Sequence, residues 1–522
     1  MYRSIISTDE SKMHAKHLSR LVTSETCPGC HGSRVNENVE SCKINGLSIA
    51  DVALMPLDEV LDFIENISDP LAVDIQSELR KRIGSLLEIG LGYLSLSRGA
   101  GTLSGGEAQR IKIAKHINGA LSDILYVLDE PSAGLHLADI SRLKKSLNRL
   151  KGEGNTIIIV EHNPALIRLA EHVIDLGPGA GENGGRVMYA GDLDGLLKTE
   201  TITGHDLRET TPFKPQPRRP KQWLPIEKAN YHNLKEVSLK VPLGVLCVLC
   251  GVAGSGKSSL TEVIMRTLDQ PAVHISQKGI GISLRSTLAT YLDISDEIRK
   301  LFARASKVAA SYFSFNSKGA CPVCRGKGVI VTDMSFMEDI VTTCEKCGGA
   351  RYSDEVLGYQ YRSKNIAQVM GMSVTEALRF FKSGLIHEQL SLLERVGLDY
   401  LRLNQSLSTL SGGELQRLKL ASHLDEKGTV YLLDEPTTGL HMEDVKKLIT
   451  LFDDLVAQGN SVIISEHNLA VIKRADWVIE LGPGGGNQGG RIIFSGSPER
   501  LAASKDSVTG PYLSARPESE AA

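Results

Sequence analysis

The chain has no run of apolar residues long enough to cross a membrane, and its N-terminus shows no secretory signal pattern. The absence of such a run argues against a membrane-spanning segment in this chain and against a role at a membrane. The absence of a signal pattern favours the reducing cytoplasm, where cysteines stay available as thiols.

Aromatic residues are scarce, at 5% of 522 positions, whereas glycine is abundant, with 50 residues. This composition suits loop-rich α/β modules, and the length allows more than one hydrophobic core. An excess of charge of one sign is also lacking, since the net charge is only −3. A globally basic nucleic-acid binder is therefore excluded, although a local basic patch is not.

The most informative segment is 251–258, GVAGSGKS, which matches the GxxxxGK[ST] pattern of a phosphate-binding loop. An apolar strand pattern precedes it and a helical pattern follows, which is the context that the motif needs. Glycines let backbone N–H groups turn toward phosphate oxygens, and the helix N-terminus adds positive potential. We predict that ATP is bound by Gly251, Gly254, Ser255, Gly256, Lys257, Ser258 and Ser259. Lys257 is expected to reach the β- and γ-phosphates, and Ser258 to hold Mg²⁺.

Four short motifs occur twice in the same order. They are LSGGE at 103–107 and 410–414, LDEP at 128–131 and 433–436, EHN at 161–163 and 466–468, and LGPG at 176–179 and 481–484. The offset is nearly constant, for example 411 − 104 = 307 and 467 − 162 = 305. Two homologous modules of roughly 300 residues each explain this pattern.

The repeated motifs, together with the phosphate loop, define an ABC-type ATPase. An apolar strand pattern, 429–433, leads directly into Asp434 and Glu435. Asp434 is predicted to join the Mg²⁺ shell, and Glu435 to polarise the attacking water. A second strand, 461–465, should deliver His467 to the γ-phosphate. A lone Asp-Glu pair would more simply be a strand-end turn, but the surrounding motifs favour the catalytic interpretation.

In ABC ATPases, the LSGGE segment of one module completes the nucleotide site of the other. The complete site is therefore predicted to be closed by Ser104, Gly105 and Gly106. The other site would combine Asp129, Glu130 and His162 with Ser411, but no phosphate-loop motif precedes residue 104. Its lysine would fall before Met1 by the offset, so we expect one complete ATP site and a missing N-terminal part.

Cysteine spacing predicts a metal site. Cys321, Cys324, Cys344 and Cys347 form C-x₂-C-x₁₉-C-x₂-C, the pattern of a tetrahedral Zn²⁺ site at the base of a hairpin, with two disulfides as the alternative. Cys27 and Cys30 correspond to only the second half of such a site.

Three further cysteines are interpreted as thiols without a metal. Cys42 is expected to be a free buried thiol, or else a third ligand beside Cys27 and Cys30. Cys247 and Cys250 are expected to be core residues of the strand before the phosphate loop.

The predicted fold class is α/β, with two ABC-type ATPase modules in tandem and inserted helical, zinc-binding signature domains. The Pro-rich, basic stretch around 211–221 is predicted to be a linker, with solvated charges or contacts to phosphates. The expected segments are 1–100, a remnant of the first signature and zinc domain; 101–203, the C-terminal part of the first module; 204–225, the linker; 226–268, the phosphate-loop part of the second module; 269–405, its signature domain with the zinc hairpin at 321–347; 406–505, its C-terminal part; and 506–522, a tail.

The sequence resembles the UvrA family, which senses damage in bacterial nucleotide excision repair. The resemblance rests on a zinc module between the phosphate loop and LSGGE, on SFN at 314–316, on DEPTTGLH at 434–441 and on ADWV at 475–478. It implies an ATPase without nuclease activity that uses ATP, Mg²⁺ and Zn²⁺, binds duplex DNA and forms a homodimer. It also implies that Gln277 couples Mg²⁺ and water to the DNA-facing domain, here within an altered stretch, 277–287.

The family's N-terminal phosphate loop, its insertion domain and its UvrB-docking domain have no counterpart in this sequence. Recruitment of UvrB is therefore doubtful, and a second polypeptide could supply the N-terminal part. Two alternatives stay open: a paralogue that confers self-resistance to a DNA-reactive drug or toxin, and a soluble ABC protein that does not act on DNA. The hairpin residues Met334, Phe336 and Met337 either press on a deformed duplex or simply pack against their own domain.

Overall fold

The computed structural model describes residues 27–99, 103, 105–117, 122–179, 184–276, 286–332, 340–424 and 426–514. The chain divides into two compact units, 1–119 and 120–522. In these described ranges, no helix is both long enough and apolar enough to span a lipid bilayer.

The first unit is mainly helical. Apolar side chains of α3 recur every three or four residues, so that Leu57, Val60 and Ile64 are buried on one side of the helix. Ser48 and Asp51 form a capping box at the start of α2. The elements are α1 Glu37–Ser41, β1 Lys43–Ile44, β2 Leu47–Ser48, α2 Ile49–Leu54, α3 Leu57–Glu65, a 3₁₀ turn Pro70–Ala72, α4 Val73–Glu88 and α5 Gly105–Ile117.

The second unit begins with two separate strand pairs that belong to the first ABC module. β3 and β4 are parallel, whereas β5 and β6 are antiparallel. The elements are β3 Leu125–Asp129, α6 Leu137–Gly152, β4 Thr156–Val160, α7 Pro164–Ile167, β5 Val173–Gly177, β6 Arg186–Gly191, α8 Leu193–Leu196 and α9 Ile202–Arg208.

The second module contains a six-stranded sheet that is parallel except for its last strand. In spatial order, its strands are β10 (Ala272–Ile275), β13 (Val430–Asp434), β14 (Ser461–Ser465), β9 (Leu246–Cys250), β15 (Trp477–Gly482) and β16 (Arg491–Gly496). Its strands are continuous apolar runs because both faces of the sheet are covered. The elements up to the cysteine hairpin are β7 Gln222–Ala229, β8 Val237–Leu243, β9 Leu246–Cys250, α10 Lys257–Thr267, β10 Ala272–Ile275, α11 Leu288–Tyr291, α12 Ile294–Ser306, a 3₁₀ turn Ala310–Phe313, β11 Val329–Thr332 and β12 Ile340–Thr343.

Helices follow the hairpin before the chain returns to the sheet. One face of the sheet joins their large core through residues such as Val248 and Leu433, and the other face is covered by β7, β8 and α10. The elements are α13 Asp354–Leu357, α14 Ile366–Met370, α15 Val374–Phe380, α16 Leu385–Arg395, a 3₁₀ turn Leu407–Thr409, α17 Gly412–Ala421, β13 Val430–Asp434, α18 Met442–Ala457, β14 Ser461–Ser465, α19 Leu469–Arg474, β15 Trp477–Gly482, a 3₁₀ turn Gly486–Gln488, β16 Arg491–Gly496, α20 Pro498–Ala502 and α21 Gly510–Ser514.

The two modules differ in how well their sheets are covered. Five apolar side chains of the first module are 50–66% exposed, whereas their counterparts in the second module are at most 1% exposed. The exposed residues are Leu125, Val127, Ile158, Ile174 and Leu176, and the buried counterparts are Val430, Leu432, Ile463, Ile479 and Leu481. The buried set lies on the face that β7, β8 and α10 cover.

The prediction that the linker charges are solvated was wrong for Lys214 and Arg218, whereas Arg219 and Lys221 are exposed. Lys214 is buried, and its ammonium lies 2.6 Å from Asp453 Oδ1 and 2.7 Å from Asp476 Oδ1. Arg218 pairs with the same two carboxylates. Asp476 is itself buried and accepts the Leu246 backbone N–H, so the basic residues neutralise a charge at the end of the sheet.

Three other expectations have different outcomes. Cys247 and Cys250 are fully buried core residues, as predicted. Cys42 is exposed rather than buried, because it ends a short helix on the surface, where its thiol contacts the Asn38 carbonyl. The segment expected as a tail begins with buried residues: Ser507, Thr509 and Leu513 all pack inside the second unit.

Candidate nucleotide and zinc sites

The phosphate loop lies at the carboxyl end of the central strand β9 and leads into α10. Its glycines are required by the backbone. Gly251 has φ 128°, and a Cβ there would lie 2.0 Å from the Leu481 carbonyl oxygen. Gly254 and Gly256 also have positive φ, at 72° and 106°. The loop therefore turns tightly against the end of β15, where only glycine fits at position 251.

Lys257 and Ser255 are the buried polar groups of this loop. The Lys257 ammonium donates to the carbonyls of Gly251 at 2.9 Å and Val252 at 3.1 Å, and burial lowers its pKa. Ser255 Oγ is buried without a hydrogen-bond partner among the described residues. An unsatisfied hydroxyl beside a buried cation fits a triphosphate, which supplies acceptor oxygens and negative charge. Ser258 opens α10 and is exposed, and the Ser259 hydroxyl faces Asn233 Oδ1 at 3.3 Å.

Asp434 and Glu435 lie at the carboxyl end of β13, two strands away from β9. Glu435 has φ 49°, a left-handed conformation that is strained for a residue with a side chain, and its N–H donates to the Ser465 carbonyl at 2.8 Å. Burial, reinforced by Asp434, raises the pKa of Glu435 to about 7. The strand end thus presents two neighbouring, partly buried carboxylates, those of Asp434 and Glu435.

His467 lies after β14, the strand between β9 and β13. Its Nε2 is 3.7 Å from Glu435 Oε1, and only 8% of the side chain is exposed. Glu466 holds the turn in place, since its carboxylate accepts N–H bonds from Thr437 at 3.1 Å, His467 at 2.6 Å and Asn468 at 2.9 Å. Strand order, rather than chain order, therefore brings Lys257, Glu435 and His467 together.

The four cysteines of the C-x₂-C-x₁₉-C-x₂-C pattern form one cluster. Their sulfur atoms all lie within 4.8 Å of one another, and Cys324 Sγ is 3.7 Å from Cys347 Sγ. Four sulfurs about 2.3 Å from one ion stand about 3.8 Å apart at tetrahedral angles. All four are free thiols rather than disulfides. Backbone N–H groups, chiefly that of Cys347, lower the pKa of Cys344 to about 7, which favours a metal-binding thiolate.

Comparisons with known proteins agree with this geometry. The ABC transporter family model matches residues 234–438. The UvrABC system protein A of Aquifex aeolicus is 42% identical over 97% of this chain and 59% of its own length. The corresponding Thermus thermophilus protein is also 42% identical, over 96% of this chain and 57% of its own. The crystal structure of UvrA2 from Deinococcus radiodurans superposes with a TM-score of 0.90 at 39% identity, covering 98% of this chain and 68% of that one.

The chain belongs to the UvrA family. It spans somewhat less than three-fifths of the length of the curated relatives it matches. The α/β fold with ABC-type modules and a four-cysteine module is confirmed.

Several predicted site residues of this UvrA-family chain lie outside the described residues. Ser104 and Gln277 are among them, as are the hairpin residues Met334, Phe336 and Met337. Gly105 and Gly106 open α5 in the first unit. The second LSGGE segment is described fully: Ser411 caps α17 and forms a capping box with Glu414. The closure of the ATP site by residues 104–106 therefore stays a prediction.

The corresponding strand end of the first module keeps the same local geometry in a more exposed setting. Glu130 has φ 44°, and its carboxylate lies 3.7 Å from His162 Nδ1. The exposed side-chain fractions are 37% for Glu130 and 27% for His162, against 21% and 8% in the second module. The motif alone therefore fixes the backbone turn and the glutamate–histidine distance. The burial of the two side chains depends on the structure that surrounds the motif.

The motif assignment missed the role of Glu466. The available sequence signal was that Glu466 belongs to the repeated Glu-His-Asn triplet. In the first module, the equivalent Glu161 accepts the backbone N–H groups of Ser132, His162 and Asn163. A carboxylate that fixes three backbone N–H groups needs contacts from a distant loop, which spacing along the chain does not reveal.

Proposed function

We propose that this chain is a UvrA-type ATPase that binds duplex DNA and takes part in damage recognition for nucleotide excision repair. The observation that carries the ATPase part is the convergence of Lys257, Asp434, Glu435 and His467 at the carboxyl ends of three neighbouring strands. The DNA part is supported by the cysteine hairpin and by relatives named as protein A of the UvrABC system.

Each residue of the site has a distinct task in ATP hydrolysis. The loop amides and Lys257 bind the triphosphate and stabilise charge on the transferring phosphoryl group. Ser258 and Asp434 are the residues that would hold Mg²⁺, which neutralises charge between the β- and γ-phosphates when bound. Glu435 orients the attacking water, and its raised pKa makes it a better proton acceptor than an exposed carboxylate. His467 is placed beside Glu435 to contact the γ-phosphate.

The zinc site has a structural task. Four thiolates leave no open position on a tetrahedral ion, so the ion would fix the hairpin rather than perform chemistry. β11 and β12 pair in register from Val329 with Thr343 to Thr332 with Ile340, and Cys324 and Cys344 flank this ribbon. The ion would therefore hold together the two ends of this ribbon.

DNA binding is expected to depend on exposed basic residues at the hairpin base. Arg325 and Lys327 are both exposed there. We expect Lys327→Ala to weaken duplex binding and to reduce the log–log salt slope by about one, since one phosphate contact is lost. Lys145→Ala, which removes an exposed lysine from α6, serves as the control and should leave the slope unchanged.

Electrophoretic mobility shifts with intact and lesion-bearing duplexes, at two salt concentrations and with ATP, test this prediction. A protein that reads deformability should bind the lesion-bearing duplex somewhat better than the intact one. Absence of binding to either duplex at low salt would contradict the DNA part of the proposal and leave the ATPase part standing.

We further propose that a polypeptide resembling residues 222–268 completes the first module. In the second module this segment supplies a hairpin, the central strand, the phosphate loop and a helix. β9 lies between β14 and β15, whereas no strand of the described residues joins β4 to β5. The exposed apolar face of the first module is the face that such a segment covers in the second. An apolar surface of this kind is typical of an interface.

Co-expression with the N-terminal two-fifths of the Aquifex aeolicus relative tests this partner. We expect a stable complex with a second ATP-binding site, and we expect Val127→Asp on the bare face to abolish it. Val323→Asp places the same charge at an exposed position of the cysteine hairpin and should leave the complex intact. A complex that forms equally well with Val127→Asp would contradict the assignment of this face.

A further inference from the structure

A threonine close to the end of the described chain connects the two modules beside the complete ATP site. The Thr509 hydroxyl oxygen lies 2.5 Å from Glu480 Oε1 and 3.0 Å from His136 Nε2. Glu480 belongs to β15, the neighbour of the phosphate-loop strand β9. His136 belongs to the first module, where it caps α6. The proposed mechanism of ATP hydrolysis uses neither Thr509 nor His136.

The hydrogen-bond directions in this group can be assigned from its chemistry. Glu480 is a fully buried carboxylate that also accepts from the Ser507 hydroxyl and the Thr509 N–H. The single hydrogen of the Thr509 hydroxyl points to this carboxylate, so the hydroxyl oxygen must accept from His136 Nε2–H. His136 Nδ1 in turn accepts the N–H of Ala138 at 3.2 Å. Both ring nitrogens are thus satisfied by a neutral imidazole, and burial lowers the pKa of His136 to about 3.

The locked imidazole packs against a residue of the proposed catalytic site. The His136 ring packs edge-on against His467, with ring centroids 5.8 Å apart and an interplanar angle of 75°. Tyr512 contacts His136 in the same edge-on manner, at 6.0 Å. Gly134 lies so close to Glu435 that a Cβ there would be 2.9 Å from Oε2. The loop of the first module therefore abuts both His467 and Glu435.

The same arrangement recurs in the opposite direction. The Thr203 hydroxyl donates to Asp175 at 2.8 Å and lies 3.3 Å from His441 Nε2, so a threonine of the first module contacts a histidine of the second. Both threonines precede a glycine whose N–H is bonded to a hydroxyl, from Thr201 in one copy and Ser507 in the other. This acid–threonine–histidine contact is therefore part of the duplicated architecture rather than an accident of one packing site.

We propose that Thr509, anchored on Glu480, locks the His136 ring so that the first module positions His467 for hydrolysis at the complete ATP site. The inference rests on the ATPase function proposed above. Thr509 and His136 are positioning residues, since they act through His467. Without the hydroxyl, the His136 ring keeps only the bond from the Ala138 N–H, and His467 loses a rigid neighbour.

Steady-state ATP hydrolysis by the full chain tests this inference. Thr509→Val keeps the side-chain shape and removes the hydroxyl; we expect kcat to fall about 10- to 10²-fold, as for a small misplacement of a reacting group. KM for ATP should change by no more than about twofold, because the binding residues are untouched. Thr509→Ser keeps the hydroxyl and should restore most of kcat.

Thr203→Val is the matched comparison, because it removes the equivalent hydroxyl beside the incomplete site. We expect it to leave kcat within about twofold of the wild type. Equal losses in Thr203→Val and Thr509→Val, or an equal loss in Thr509→Ser, would show a general packing defect and overturn the inference. An unchanged kcat in Thr509→Val would overturn this inference but not the proposed ATPase function. Absence of ATP turnover in the wild type would overturn both. Should Thr509→Val not fold, His136→Leu takes its place, and an unchanged kcat in that variant also overturns the inference.

Discussion

Replacing Glu435 with glutamine is expected to reduce ATP turnover on the order of 10²-fold or more while leaving ATP binding nearly unchanged. Glutamine has almost the same shape, so the strained turn and its N–H bond to Ser465 should persist. It cannot accept a proton, however, and it does not orient water as a carboxylate does. Single-turnover hydrolysis and equilibrium binding of labelled ATP measure the two effects separately.

Glu130→Gln is the control that the chain itself provides. Glu130 has the same backbone strain and the same neighbouring histidine, but it belongs to the module without a phosphate-loop motif in this sequence. Its substitution should matter far less for turnover. Equal turnover in Glu435→Gln and the wild type would reject the catalytic role of Glu435, and equal losses in both variants would reject the asymmetry between the two sites.

Loss of one zinc ligand is expected to have the second large effect. Freshly purified protein should contain about one zinc per chain, and Cys344→Ser should lower its zinc affinity by at least about 10²-fold. Cys344 is fully buried at the centre of the cluster, so the hairpin from 325 to 343 should become susceptible to proteases when the metal is lost. Metal analysis and limited proteolysis measure both consequences without reference to ATP hydrolysis.

Cys42→Ser controls for the removal of a thiol, because Cys42 is exposed and lies apart from the four-cysteine cluster. It should keep its zinc and its resistance to proteases. Zinc near zero in unchelated wild-type protein would contradict the site. Two zinc ions per chain would instead show that Cys27 and Cys30 form a site, against the prediction that they lack partners.

Local chemistry explains why much of the nucleotide site could be predicted from the sequence. The phosphate loop needs glycine wherever a Cβ would clash with a carbonyl oxygen, as at Gly251. The loop can therefore be recognised from its residue pattern alone. Asp434 and Glu435 follow a strand that is apolar on both faces, which fixes their position at its end. The zinc ligands could be predicted for a similar reason, because the two cysteines of each Cys-x-x-Cys pair lie in one tight turn.

Contacts between distant segments could not be predicted in the same way. The charges of Lys214 and Arg218 suggested a solvated linker, yet both residues pair with carboxylates more than 230 positions away. The Thr509–His136 contact joins residues 373 positions apart. Two repeats carried its sequence signal, Gly-Leu-His at 134–136 and 439–441 and Thr-Gly at 203–204 and 509–510, but neither shows the contact without the fold.

The central claim is that this chain alone carries one complete ATP site, built on the loop at 251–258. The most direct test is the number of ATP molecules bound per chain in the Glu435→Gln protein, which retains nucleotide, with and without Lys257→Ala. We expect one ATP per chain in the Glu435→Gln protein and none after Lys257→Ala, since Lys257 is the buried cation of the loop. Two ATP molecules per chain, or one that persists in the Lys257→Ala protein, would contradict it.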